Sequence, residues 1–150
     1  MKNFKYLLLA SIIFFTGCNS SHGASDDTLK SEARVCPMCH MEVDNSNEHS
    51  SSLIKRGKTY YFDDIGCMIL WSGENSASTV SAKVFSKDTK QYISAKSANY
   101  TFGEKTPMSY GFSAYENSVD NKIDFDEVIT KMLRGEHMAN PKIRKQIIGY

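Results

Sequence analysis

The chain has 150 residues, a length that fits one domain with a real core, and nothing in its composition suggests a second. It carries 18 Lys and Arg against 17 Asp and Glu, without basic clusters, which argues against nucleic acid as a partner.

Lys2 and Lys5 precede an apolar run from Tyr6 to Phe15, and the small residues Thr16 and Gly17 stand just before Cys18. A charged start, a short apolar stretch and a small-residue cleavage zone make residues 1–17 a secretory signal, too short to span a bilayer comfortably. Phe15-Thr16-Gly17-Cys18 also resembles the bacterial lipoprotein signal, in which the Cys becomes the lipid-bearing first residue of the mature chain. The alternative is an ordinary signal ending near Gly23 or Ala24, which leaves Cys18 without a role. Either way the chain is exported, and with lipid on Cys18 it is anchored to a membrane and faces the periplasm or cell exterior. Residues 18–34 are Ser-rich and polar and read as a flexible tether.

The folded part is expected over residues 35–136. Ser51 to Phe62 reads as a β-hairpin turning at Gly57, followed by a helix that Asp63 or Asp64 caps and that buries Ile65, Met68 and Ile69. Val80 to Phe85 and Gln91 to Ala95 are predicted strands joined by the polar turn Lys87-Asp88-Thr89-Lys90, and Gly111 to Tyr115 is a further one. A second helix starts at Asp124, with Glu127 as its capping-box acid and Val128, Ile129, Met132 and Leu133 as its apolar stripe. Gly135 fits its stop, and residues 137–150 form a basic tail expected to be loosely ordered, with Pro141 blocking a simple continuation. Strands mixed with short helices predict an α+β fold, without the Gly-rich phosphate loop or βαβ alternation of a nucleotide-binding protein. Trp71, Phe85, Tyr92 and Phe112 are most simply core.

Cysteine arithmetic points to chemistry. If lipid consumes Cys18, then Cys36, Cys39 and Cys67 remain, an odd set in a compartment where thiols oxidise, so at least one thiol has no partner within the chain. A metal is the readiest way to keep such a thiolate. The dense cluster of soft donors is Cys36-Pro37-Met38-Cys39-His40-Met41, and thiolate with thioether favours Cu(I). A structural zinc site needs four closed ligands, for which Cys67 and the scattered His22, His49 and His137 are what remains. A thioredoxin-like pair belongs inside a βαβ pattern, whereas this pair follows a polar tether. The motif also satisfies CxxCH, the attachment pattern of c-type haem with His40 as axial ligand, although small cytochromes of that class are mainly helical.

Three separated stretches together resemble the NosL family, copper-binding lipoproteins that accompany nitrous oxide reductase. They are Cys36-Pro37-Met38-Cys39 with Met41; Tyr61-Phe62-Asp63-Asp64-Ile65-Gly66-Cys67-Met68; and a run from Asp88 through Tyr92, Ala95, Ala98 and Tyr100 to Thr106-Pro107-Met108-Ser109-Tyr110-Gly111-Phe112 and Ala114-Tyr115. The resemblance implies an α+β domain of small paired ββαβ units that binds one Cu(I), performs no turnover, and passes the ion to the assembly machinery of the copper sites in nitrous oxide reductase. The family usually has Gly after the second Cys, where this chain has His40. The candidate ligands are Cys36 and Cys39 as thiolates and Met41 and Met108 as thioethers, with Met38, His40 and Cys67 as further donors. Cys67 lies near a helix N-terminus, which would favour its thiolate, and a packing role fits it equally. Asp63 and Asp64 read as caps rather than ligands, because carboxylates suit harder ions.

Overall fold

The computed structural model describes residues 34–44 and 47–149. Cys18 and nearly all of the tether therefore lie outside the described residues, as do the signal and His22. Ser31–Tyr150 forms one compact unit, an α+β fold with antiparallel sheets.

Strands β1 (Ser51–Lys55) and β2 (Lys58–Phe62) pair antiparallel in a register that sets Lys55 opposite Lys58. The two turn residues, Arg56 and Gly57, have φ of 50° and 78°, the doubly left-handed conformation that matches strand twist in a tight hairpin. Helix α1 (Ile65–Glu74) follows at once, with Asp64 as its N-cap, and buries Ile65, Met68, Ile69 and Trp71. Strands β3 (Lys83–Phe85) and β4 (Tyr92–Ser94) complete a sheet of order β2-β1-β3-β4. The strand predicted from Val80 is shorter than expected. Thr79–Ser81 form a 3₁₀ turn capped by the Ser78 side chain, and Val80 points into solvent at 89% exposure.

A second hairpin, β5 (Asn99–Phe102) with β6 (Phe112–Tyr115), leads to α2 (Phe125–Leu133), capped where Asp124 Oδ1 accepts from the Glu127 N–H at 2.8 Å. The first half is thus ββαββ, one strand more than the ββαβ expected. The second is ββα, and it ends in helix α3 (Pro141–Ile148) instead of a strand. No strand was expected over 99–102, and the tail predicted to be loosely ordered contains α3. Asn140 caps that helix and Pro141 takes its first position, where a missing N–H costs nothing. The stripe of α2 is also narrower than predicted, since Leu133 is 64% exposed while Val128 and Met132 are buried. The sheets meet where the Lys87 N–H donates to the Ala114 carbonyl at 2.8 Å. Leu53, Phe62, Ile65, Met68, Val84, Tyr100, Phe112 and Val128 lie in the shared core.

Candidate metal centre

Residues 35–42 form a tight loop ahead of β1. Val35 bridges Glu42, the Cys36 N–H donates to the Met41 carbonyl at 2.8 Å, and the His40 N–H donates to the Cys36 carbonyl at 2.9 Å. His40 closes the turn with φ of 63°, a left-handed conformation that Gly adopts freely and His tolerates better than most residues. This curl turns both cysteines of the motif toward the start of α1. Arg34, the last tether residue, lies over the Tyr61 ring at 4.1 Å from its centroid, and its carbonyl accepts from the Val43 N–H.

At the start of α1 the loop meets Asp63 and Cys67. One ligand atom from each of Cys36, Cys39, Asp63 and Cys67 lies within 4.8 Å of all the others, so the group could hold a metal ion. Cys36, Asp63 and Cys67 are fully buried, while Cys39 is half-buried at the rim. No disulfide joins the three thiols. The Cys39 thiol donates to Asp63 Oδ1 at 2.9 Å, and Asp63 Oδ2 is buried without a hydrogen-bond partner. The Asp63 carbonyl in turn accepts from the Asn47 side-chain amide at 2.8 Å.

Electrostatics within the group is uneven. The Cys67 thiol donates to Cys36 and, together with the backbone N–H groups of Cys39 and Asp63, holds the Cys36 thiol well below its ordinary range despite burial. Burial and the hydrogen bond to Asp63 push the Cys39 thiol up. The hydrogen bond to Cys36, burial and the Asp63 charge push Cys67 up as well. The helix N-terminus therefore does not lower the Cys67 thiol, although its position in sequence favours a thiolate there. The readiest thiolate is Cys36.

Asp64 does the capping, accepting from the Gly66 N–H at 2.9 Å, and its other oxygen accepts from the Thr106 hydroxyl at 2.6 Å and the Met108 N–H at 3.1 Å. One buried carboxylate thus clips the Thr106–Gly111 loop, with Met108, to the start of α1. Burial pushes that carboxyl up against the opposing effect of its three donors. Gly66 permits the same contact, because a Cβ there would fall 2.3 Å from Tyr110 Cδ2.

Of the predicted donors, Cys36, Cys39 and Cys67 are brought together, and His40 stands outside the group. Met38 and Met108 are partly buried against the core, and Met41 is 44% exposed. His49 lies elsewhere, with Nδ1 3.2 Å from the Ser113 hydroxyl, and His137 packs edge-on against Tyr110. Sequence reasoning missed Asp63. Its signal was the Asp63-Asp64 pair, of which one cap needs only one. Comparison of the chain with protein-family models, with curated proteins and with solved structures returned no match.

Proposed function

We propose that this protein is an exported, lipid-anchored Cu(I) carrier, not an enzyme, that delivers copper for assembly of the copper sites of nitrous oxide reductase. The observation that carries the reading is the convergence of three thiols, from a loop and a helix start, on one point of the fold. Thiolates are the donors Cu(I) prefers, and one thiolate is favoured before any ion arrives. Cys39, at the rim, gives an incoming or receiving protein a sulfur to reach. Exchange through a ligand at the rim is how an ion leaves without a free aqueous state. The thioethers of Met41 and Met108 add soft, uncharged donors on flanking loops. The resemblance to the NosL family supplies the recipient.

The CxxCH reading as haem attachment has less support. Cys36 is buried against Cys67, and the Cys39 thiol at the rim is held by Asp63, so a macrocycle on both would have to displace the start of α1.

Competition against a Cu(I) chelator tests the proposal. One Cu(I) per chain is expected, with affinity lowered at least about 100-fold in Cys36→Ser or Cys39→Ser and no more than about tenfold in Met108→Leu, because thiolate brings charge to the ion and thioether does not. Unchanged affinity in both Cys variants removes the site. A haem-sized mass increment that survives denaturation makes the protein a cytochrome instead.

A further inference from the structure

Asp63 has no place in a Cu(I) site made of sulfur alone, since a carboxylate is a hard donor that this soft ion binds poorly. Yet its side chain is fully buried beside three thiols, and one of its oxygens lacks a hydrogen-bond partner. An unpartnered buried carboxylate oxygen is costly unless something binds it. Its other oxygen accepts from the Cys39 thiol, so a thiol proton lies where a cation between sulfur and oxygen would sit.

We propose that Asp63 completes a four-coordinate site with Cys36, Cys39 and Cys67 that takes Zn(II). The inference shares its cluster with the copper reading but does not depend on copper. Zn–S bonds of about 2.3 Å and Zn–O bonds of about 2.0 Å set tetrahedral ligand separations of roughly 3.5–3.8 Å. The four atoms already lie within 4.8 Å, so side-chain rotations of about 1 Å close the shell. The ligands also come in the arrangement common to structural zinc sites, two from a CxxC loop and two from a separate element. Charge points the same way: three thiolates and a carboxylate sum to four negative charges in a buried place, and a divalent ion offsets twice what Cu(I) does. On binding, the thiol protons leave to solvent and no electron moves.

Asp63 would then decide which ions the site holds. With the carboxylate it closes around Zn(II), and without it three sulfurs remain, a set that still suits Cu(I). The Asn47 amide on the Asp63 carbonyl fixes the backbone that aims the carboxylate.

The test measures Zn(II) and Cu(I) affinities by chelator competition on the protein, Asp63→Asn and Asp63→Cys, with Co(II) as a spectroscopic stand-in for Zn(II). One Zn(II) per chain is expected, and Co(II) should give the intense visible bands of a tetrahedral centre. Asp63→Asn should weaken Zn(II) at least about tenfold while Cu(I) changes less than about threefold. Asp63→Cys should restore Zn(II) binding and raise the sulfur-to-Co(II) charge-transfer intensity by about one third, as three thiolates become four. Equal Zn(II) affinity in the protein and Asp63→Asn, an octahedral Co(II) spectrum, or parallel loss of both ions in Asp63→Asn would overturn the inference. Zn(II) bound as described without Cu(I) would remove the copper carrier and keep this site. Cu(I) bound without Zn(II) would do the reverse.

Discussion

At position 40 a single dihedral angle explains a departure that sequence alone left open. His40 closes the cysteine loop with φ of 63° and stays exposed and outside the convergent group, so its position answers to backbone geometry. His40→Gly relieves a left-handed non-glycine residue but loosens the unfolded chain, and the two effects oppose each other. Stability should change by no more than about 1 kcal/mol in urea denaturation, with Cu(I) affinity unchanged within about threefold. A tenfold fall in affinity would make the imidazole a ligand. The neighbouring acids carry the opposite lesson. Asp63 and Asp64 are alike in sequence, and both are buried, yet one caps a helix and clips a loop while the other faces three thiols. Which of two adjacent carboxylates does which depends on where α1 begins, and helix boundaries shift by a residue or two in any reading of a pattern.

Among the elements, those whose signals are local were legible in the sequence. The β1–β2 turn needed Gly57 and the α2 cap needed Asp124, and both stand where predicted. Elements decided by distant contacts were not. β5 carries no clean alternation and exists because β6 pairs with it, and α3 opens on a proline that reads as a stop but serves as its first residue. The joint between the two sheets was equally hidden. There Glu104 accepts from Lys87, Thr101 and Tyr115, binding the β3–β4 turn to β5 and β6. Burial pushes the Glu104 carboxyl up, but these donors outweigh it and hold it down at about 2, against 4.5 for an ordinary glutamate. A carboxyl depressed by folding stabilises the protein above its unfolded value and loses that contribution as pH falls through the folded one. Glu104→Gln should therefore destabilise the protein at pH 7, by no more than about 1 kcal/mol for so accessible a group, and should flatten the loss of stability between pH 4.5 and 2. Denaturant titrations across that range check it. An acid limb as steep as that of the unsubstituted protein would show that this cluster does not couple the sheets to pH.

At the scale of the whole molecule, the candidate centre sits where the 35–42 loop meets the start of α1, to which Asp64 clips the Thr106–Gly111 loop, and Cys39 lies at its rim. A domain that hands on an ion, as we propose, needs to stay near its source and recipient, and lipid on Cys18 would supply the means. Asn19 to Arg34 separate that residue in sequence from the folded unit, a span of at most about 55 Å of chain. Among the described residues no helix is long and apolar enough to cross a membrane. A single acyl chain binds a bilayer only marginally, but a cysteine bearing several supplies enough buried methylene to hold the protein there. Cys18→Ala should accordingly move the protein from the membrane to the soluble fraction of fractionated cells, with its folded unit and Cu(I) affinity unchanged. An intact mass on the released protein must show that the signal has still been removed, because an uncleaved apolar segment would also retain it. Cys18→Ala protein that is correctly cleaved and yet remains on the membrane would rule out the lipid anchor and transfer the task of attachment to the domain surface.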